Sequence, residues 1–384
     1  MRRNRELEIY IHIPFCVKKC AYCDFLSGTQ DRDTIEKYVD KLVEEIGMQK
    51  PATVSSIFLG GGTPSILKPS QIFKIFKVLN CTFKIENNAE ITIEANPGTV
   101  TAEKLQAYKK CGINRISFGL QSTNNEELKL LGRIHTYEEF LESYQLARAC
   151  GFENINVDLI SAIPKQTVSS WEETLQKVVG LEPEHISAYS LIVEEGTPFA
   201  KMYGEGCPGE HDLPCEEEER AIYYRTEELL EKAGYHRYEI SNYAKTGKEC
   251  RHNLGYWERK DYLGIGLGAA SLINNVRYKN TDDLLYYMEH SSDLSAIQEN
   301  VEKLSLQERM EEFMFLGLRK MEGVSVTEFE NIFEKTMEEC YGEHIQKLKE
   351  QGLLEQKDGR LMLTRRGIDV SNYVFGEFLI ACQY

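Results

Sequence analysis

The sequence is short of basic residues. It has 45 lysines and arginines against 61 aspartates and glutamates, which gives a formal net charge of −16 at pH 7. Nucleic-acid binding relies on a basic footprint that neutralises phosphates, so this deficit argues against nucleic acid as the main partner. We interpret the acidic surface more simply as a feature that keeps the protein soluble.

Long hydrophobic runs are absent too. No stretch approaches the roughly 18 consecutive apolar residues that a membrane-spanning helix needs, so no such helix is predicted. The charged residues 1–6 lead into a strand-like segment, without the apolar core and small-residue cleavage site of a secretory leader. We therefore expect no leader peptide and a cytoplasmic protein. Internal repeats and low-complexity linkers are likewise missing.

Short β-rich segments alternate with segments of helical periodicity in the first half of the chain. The predicted strands are 8–13, 54–59, 90–94, 113–118, 155–160 and 185–192. The predicted helices between them are 34–48, 69–79, 102–110, 136–150 and 169–179. This alternation implies βαβ units and a parallel sheet. About six such units predict an α/β fold, an incomplete parallel (β/α) barrel whose functional groups gather at the C-terminal ends of its strands.

The rhythm changes after about residue 200. A charged helix is predicted over 216–232 and a strand over 235–243, and residues 256–272 are rich in glycine and aromatic residues. From Ser305 onward the pattern is mostly helical, with one predicted strand over 361–364. We therefore predict a winged-helix-like, mostly helical C-terminal domain.

Three domain boundaries follow from this change of pattern. The partial barrel is predicted to occupy residues 1–240, a connecting segment residues 241–300, and the C-terminal helical domain residues 301–384.

Cysteine is abundant, with eleven residues. Several stand alone within apolar or helical patterns, which predicts reduced thiols that pack as small hydrophobes. These are Cys81, Cys111, Cys150, Cys340 and Cys382.

Cys16, Cys20 and Cys23 differ, because they lie within eight residues directly after the first predicted strand. Three thiolates on one loop can ligate three irons of a cubane and leave the fourth iron open. A zinc site normally needs a fourth protein ligand and a second pair of ligands, and ferredoxin patterns supply a fourth cysteine. A disulfide framework is not expected in a cytosolic chain with an odd triad. Three structural thiols are the remaining alternative.

The spacing CxxxCxxC, with Tyr22 before the third cysteine, resembles the signature of the radical S-adenosylmethionine (SAM) superfamily. The resemblance implies a 4Fe–4S cluster on Cys16, Cys20 and Cys23. It also implies that the amino and carboxylate groups of SAM occupy the open iron. In that superfamily one electron from the cluster cleaves SAM to methionine and a 5′-deoxyadenosyl radical.

Further stretches resemble the oxygen-independent coproporphyrinogen III oxidase-like branch of that superfamily. They are 9–16, 60–64, 93–97, 117–122, 131–135 and 156–160, and the resemblance covers nearly the whole chain. Taken singly, Gly60–Pro64 is a tight turn and the polar residues are ordinary strand-end residues. The resemblance implies SAM contacts by Tyr10, Gly61, Gly62, Thr63, Glu94, Gln121, Arg133 and Asp158. Carboxylates can accept from ribose hydroxyls or the amino group, and an arginine can pair with the methionyl carboxylate.

One loop departs from the branch. Where the branch has Gly-Leu-Pro-Gly-Gln-Thr, residues 162–167 read Ala-Ile-Pro-Lys-Gln-Thr. Losing two glycines restricts the backbone φ angles there, so we assign no ligand contact to residues 162–165.

Two functions compete within the branch. The oxidases decarboxylate two propionates in heme synthesis. Their cluster motif resembles CxxxCxxCxC, and they carry a long N-terminal extension. Here position 25 is Phe and nine residues precede Tyr10, and both departures count against the oxidase. The stretches 311–319 and 363–367 resemble the C-terminal domain of both groups and do not discriminate.

Residues 252–257 resemble the HNxxYW motif of HemW-type heme chaperones. The resemblance implies heme binding by His252, Tyr256 and Trp257, and delivery of heme to client hemoproteins. Chemically, an imidazole can ligate heme iron while aromatic rings cover the porphyrin face. A structural histidine in an aromatic-capped turn is the simpler alternative for these residues.

The preferred interpretation is a heme chaperone with a 4Fe–4S cluster, SAM and heme, served by an electron donor such as flavodoxin or ferredoxin. It leaves open peripheral membrane docking and a homodimer. The alternatives are a porphyrinogen decarboxylase and an iron–sulfur heme-binding module that does not use SAM.

Overall fold

A computed structural model describes residues 6–379. Cys382 and residues 1–5, which entered the leader prediction, lie outside the described residues. Between residues 6 and 379, no helix combines the length and the apolar character needed to cross a membrane.

Six parallel strands lie side by side in chain order and form the wall of an open barrel. They are β1 (Leu7–Ile13), β2 (Thr53–Gly61), β3 (Lys84–Ala95), β4 (Arg115–Gln121), β5 (Ile155–Ser161) and β6 (His185–Ser190). One face of each strand is aliphatic and fully buried, as at Ile9, Ile57 and Ile93. The predicted parallel (β/α) fold is therefore confirmed.

Helices cover the aliphatic face of these strands. They are α1 (Arg32–Met48), α2 (Pro69–Thr82), α3 (Ala102–Lys110), α4 (Asn125–Leu130), α5 (Tyr137–Ala149) and α6 (Val168–Val179). Side-chain caps begin several of them. Asp31 accepts from the N–H of Thr34 at the start of α1, and Thr136 and Glu139 form a capping box on α5.

Six further strands extend the sheet at both edges. After α7 (Pro198–Tyr203) and α8 (Glu216–Lys232), β7 (His236–Arg237) and β8 (Asn242–Ala244) pair antiparallel. The prediction of one strand over 235–243 was therefore wrong. The chain reverses there because Glu239 accepts hydrogen bonds from the Ser241 N–H and the Asn242 side chain, which stabilises a turn.

The other edge is built by later parts of the chain. After α9 (Arg251–Trp257), β9 (Tyr262–Ile265) pairs parallel with β1, and antiparallel strands continue outward. The remaining elements here are β10 (Ala270–Ile273), β11 (Val276–Asn280), α10 (Leu284–His290), α11 (Leu294–Ile297) and β12 (Gln298–Lys303). Residues 241–300, predicted as a connecting segment, thus contribute strands to the large sheet, and the domain boundaries remain a prediction.

The C-terminal part is mostly helical, as predicted, and has its own hydrophobic core around Met314, Phe329 and Leu348. A small sheet in the order β13-β15-β14 accompanies the helices. The elements are α12 (Leu306–Gly317), β13 (Val324–Ser325), α13 (Val326–Phe333), α14 (Met337–Glu350), β14 (Leu354–Lys357), β15 (Arg360–Leu363), α15 (Arg365–Asp369) and α16 (Ser371–Leu379).

Candidate functional site

The second face of the barrel strands is polar, and strand register aligns its residues across the sheet. Glu8 pairs with Ser56, which pairs with Glu90, and further along Glu94 pairs with Ser117, which pairs with Asn156. Because side chains alternate along a strand, these residues share the face opposite to the aliphatic core. The polar inner face therefore continues from one end of the barrel to the other.

The cysteine loop follows β1 at the C-terminal end of the barrel, which we call the mouth. The N–H of Cys16 donates to the Gly28 carbonyl at 2.9 Å, and that of Ala21 donates to the Leu131 carbonyl at 3.1 Å. His12 on β1 bonds through Nε2 to the Leu26 carbonyl at 2.9 Å. The backbone of the loop is thus anchored at three points around the mouth.

Two side chains donate hydrogen bonds to sulfur atoms of this loop. The Thr63 hydroxyl lies 3.5 Å from Sγ of Cys16, and Nη1 of Arg133 lies 3.5 Å from Sγ of Cys20. Within residues 6–379, no three His, Cys, Asp or Glu side chains are grouped closely enough to hold a single metal ion. The ligand set of the loop is thiols with N–H and O–H donors beside them, which suits an iron–sulfur cluster. Burial raises the pKa of the Cys23 thiol.

The glycine-rich turn after β2 lies against the first and third strands. Gly61 adopts φ +112°, and a Cβ at this residue would lie 2.4 Å from the His12 ring, so only glycine fits here. The N–H of Gly61 donates to the Glu94 carboxylate at 3.0 Å. Burial, reinforced by the negative charge of Asp158, raises the pKa of Glu94 to about 8. At neutral pH Glu94 can therefore both donate and accept hydrogen bonds.

Arg133 reaches the mouth from the loop after α4. Its Nη2 donates to Oδ1 of Asn96 at 2.7 Å and also to the Gly119 carbonyl. Its Nε is buried and has no hydrogen-bond partner among the described residues. A buried cation with a free donor fits an anionic ligand group such as a carboxylate.

Gln121 and Asp158 lie on neighbouring strands at the same end. Gln121 is buried and adopts φ +75°, at a register irregularity between β4 and β5. Such a conformation costs about 1–2 kcal/mol in a residue other than glycine, and strain of this kind is concentrated at ligand sites. The Asp158 carboxylate accepts from Ser117 and Asn156, each at 2.8 Å.

Tyr10 is the predicted SAM contact on β1. Its hydroxyl lies 2.9 Å from Nδ1 of His12, and its ring stacks on Phe58 with centroids 6.3 Å apart. The predicted SAM contacts therefore lie on the polar face of β1–β5, in the loops that follow these strands or, for Arg133, in the loop after α4. Their contacts with SAM remain a prediction.

His252 lies at the opposite end of the barrel, on α9, and it is 1% exposed. Its Nδ1 is 2.8 Å from the Ser56 hydroxyl and its Nε2 is 3.0 Å from the Tyr256 hydroxyl. Burial, with a contribution from the Arg115 cation, lowers the pKa of His252 to about 3. Both ring nitrogens are thus already bonded within the core, and the assignment of His252 as a heme ligand stays a prediction.

The rest of the HNxxYW motif helps to hold α9 against this end of the barrel. The Glu90 carboxylate accepts from the N–H groups of Arg251 and His252 and from the Cys250 thiol, which ties the start of α9 to β3. The Arg319 guanidinium lies 4.4 Å from the centre of the Trp257 ring, on one face of that ring. The motif therefore acts here as a plug for the N-terminal end of the barrel.

Sequence reasoning missed several polar residues of the inner face. Asn96 joins Thr63 to Arg133, and Asn156 joins Asp158 to His185. The sequence signal that could have found such residues is the regular alternation of polar and aliphatic residues within the strands, as in Ile-Asn-Val-Asp-Leu over residues 155–159.

The loop at 162–167 keeps the backbone shape that glycine would favour. Ala162 adopts φ +57° and Lys165 φ +67°, although neither is glycine. We expected these side chains to restrict φ, and instead the loop takes the left-handed conformation despite them.

Comparison with known proteins identifies similar families. The sequence profile of the Radical SAM superfamily matches residues 10–178, and that of the HemN C-terminal domain matches residues 304–370. A heme chaperone HemW from Lactococcus lactis is 38% identical over 371 residues, which cover 97% of this chain and 97% of that protein. One from Bacillus subtilis is 36% identical over 375 residues, covering 96% and 98%.

A solved structure extends the likeness to the whole fold. Coproporphyrinogen III oxidase (HemN) from Escherichia coli, a radical SAM enzyme, matches with a TM-score of 0.85 at 25% identity. The match covers 98% of this chain and 90% of that chain.

Proposed function

Because the chain belongs to the HemW family of radical SAM proteins, we propose that it is a heme chaperone, which binds heme and delivers it to hemoproteins. The observation that carries this proposal is the identity of 38% with a heme chaperone along 97% of both chains. The exposed Phe25, at the position of the extra cysteine of the oxidases, supports it.

The mouth is the proposed site of the 4Fe–4S cluster and SAM. Cys16, Cys20 and Cys23 would hold the cluster, which supplies an electron for the cleavage of SAM in this superfamily. Around it Arg133 offers a buried donor for the carboxylate, and Glu94 offers a carboxyl that can both donate and accept. An electron-donor protein and a cytoplasmic location belong to the same proposal.

Because both ring nitrogens of His252 are bonded in the core, we infer that groups outside the plug are the better candidates for the heme ligand. Of the eight histidines, all of which lie in the described part of the chain, His211 is the exposed one, and the others are buried or half-buried. Cys207 and Cys215 lie in the same loop as His211, between α7 and α8. Imidazole and thiolate are both axial ligands of heme iron, so these three residues are the first to test.

The test is heme binding followed by transfer. We expect the purified protein to bind heme with a Soret shift and to pass it to an apo-hemoprotein. His211→Ala, Cys207→Ser and Cys215→Ser are compared with His252→Ala at matched folded concentration. Absence of heme binding by the wild-type protein would refute the chaperone proposal.

A radical SAM decarboxylase is the second candidate, favoured by the TM-score of 0.85 against coproporphyrinogen III oxidase. Anaerobic incubation with SAM, a competent electron donor and coproporphyrinogen III decides between the two. We expect no protoporphyrinogen IX from a preparation that is free of contaminating oxidase. Robust decarboxylation would overturn the chaperone assignment.

A further inference from the structure

Asn96 connects the two side chains that donate hydrogen bonds to cysteine sulfurs. Its Nδ2 lies 2.8 Å from the Thr63 hydroxyl, which lies 3.5 Å from Sγ of Cys16. Its Oδ1 lies 2.7 Å from Nη2 of Arg133, whose Nη1 lies 3.5 Å from Sγ of Cys20. One amide therefore joins the donors to both sulfurs.

The chemistry of these groups fixes the direction of each hydrogen bond in the series that runs from Arg133 through Asn96 and Thr63 to Cys16. Arginine has no acceptor, so the amide oxygen of Asn96 must face Arg133 and its NH₂ group must face Thr63. The Thr63 oxygen then accepts from Asn96, and its own proton is left to point at Cys16. Neither a flipped amide nor a reversed hydroxyl satisfies this arrangement.

The backbone of Asn96 is held firmly. Its N–H donates to the Ser65 hydroxyl at 3.2 Å. Its carbonyl accepts from the N–H and the hydroxyl of Thr99 at 3.1 and 2.6 Å. The side chain therefore presents both ends of its amide from a fixed position.

We propose that Asn96 is a positioning residue that holds the Thr63 and Arg133 donors on the sulfurs of Cys16 and Cys20, and so raises the reduction potential of the cluster. Hydrogen bonds to cluster sulfurs stabilise the more negative, reduced state, and they are a main determinant of iron–sulfur potentials. The inference rests on the cluster assigned under the proposed function.

The test compares midpoint potentials of reconstituted proteins, measured by EPR-monitored redox titration. For Asn96→Leu, which removes both hydrogen bonds at similar volume, we expect about a tenfold fall in the equilibrium constant for one-electron reduction. That fall corresponds to a potential about 59 mV more negative. Asn96→Ser, which is too short to join Thr63 and Arg133, is expected to shift the potential in the same direction.

Asn114→Leu is the matched control. The Asn114 side chain likewise accepts one hydrogen bond, from the Ile91 N–H, and donates another, to the Ala89 carbonyl, but it does so beside the middle of β3, away from the cysteine loop. We expect it to lose stability without any shift of potential. Thr63→Val should give a smaller shift than Asn96→Leu, and the double variant should be clearly less than additive because both changes act on one donor.

Iron content and folding are measured for every variant. Unchanged potentials in folded, iron-loaded Asn96→Leu and Asn96→Ser would overturn the inference. So would additivity in the double variant, or loss of iron from a folded Asn96→Leu protein. Failure of the proposed function would appear elsewhere, as a wild-type protein that takes up no cluster or transfers no heme.

Discussion

The two ends of the barrel are both lined with polar residues, but they use them differently. At the N-terminal end α9 covers the opening, and His252 and Glu90 have partners for their ring nitrogens and carboxylate oxygens. At the mouth, Arg133 keeps a buried donor without a described partner, and Gln121 holds a strained backbone. Buried polar atoms without a hydrogen bond occur at both ends, so the ends differ in what their polar groups surround: a covering helix at one end and the cysteine sulfurs at the other.

The largest expected effect separates the cysteines of the two ends. Changing Cys16, Cys20 or Cys23 to Ser should abolish the iron–sulfur absorbance, whereas anaerobic reconstitution of the wild-type protein should give about four irons per chain. Cys250→Ser should retain full iron, because the Cys250 thiol lies at the plugged end and donates to Glu90. Iron and sulfide analysis with visible spectra checks both. If Cys250→Ser lost as much iron as the variants of Cys16, Cys20 and Cys23, this difference between the two ends would be contradicted.

His252→Ala tests the plug directly. Removing this buried ring creates a cavity and leaves Ser56 and Tyr256 without their partner. We expect a loss of about 2–4 kcal/mol in the free energy of unfolding, measured by denaturant titration. Heme affinity of the folded fraction should not change. A stable variant with a weakened Soret shift would instead support His252 as the heme ligand.

Periodicity predicted much of this architecture. The six barrel strands and the helices α1–α3, α5 and α6 were predicted close to their observed bounds, since each buries one regular apolar face. β3 begins at Lys84, earlier than predicted, because residues 84–88 have no apolar pattern and Lys84 and Ile85 pair with β2 through their backbone, ahead of a register shift. Backbone pairing leaves no signal in side-chain chemistry.

The gathering of polar residues at the mouth was predictable from the sequence, and the position of the motif helix α9 at the other end was not. Residues such as Glu94 and Asp158 stand at or near the ends of predicted strands, so the parallel topology alone brings them together. His252 follows no predicted barrel strand, and residue types alone do not reveal which end of the barrel a short helix covers. Its motif therefore suggested a ligand although its ring nitrogens are bonded inside the core.

Glu8 is one of the residues at the plugged end whose hydrogen bonding is incomplete, and we expect it to make this end sensitive to pH. Its Oε2 is buried without a hydrogen bond, and burial raises the pKa of Glu8 to about 8, opposed by the Lys260 cation. A carboxyl with a raised folded-state pKa stabilises the protein below its unfolded pKa, near 4.5, and this stabilisation is lost as pH rises toward 8. Glu8→Gln should remove that dependence and be more stable than wild type by about 2 kcal/mol at pH 8.

Unfolding titrations at several pH values from 5 to 8.5 measure this difference. The Glu8→Gln and wild-type proteins should be similar at the acidic end of the series and diverge as the pH rises. If the free energy of unfolding depended on pH equally in the two proteins, ionisation of Glu8 would not destabilise the plug.

The smallest expected effect concerns strain at the mouth, in the loop where the family favours glycine. Lys165 adopts φ +67°, a conformation that costs a side chain about 1–2 kcal/mol, while glycine adds about 0.5–1 kcal/mol of unfolded-state entropy. Lys165→Gly should therefore stabilise the protein by about 0.5–1 kcal/mol, measured by denaturant unfolding. Lys77→Gly, the same change at an exposed position within α2, should destabilise it by about 1 kcal/mol. If both variants lost stability equally, the backbone at Lys165 would carry no strain, and the case for strain at the mouth would rest on Gln121 and Ala162.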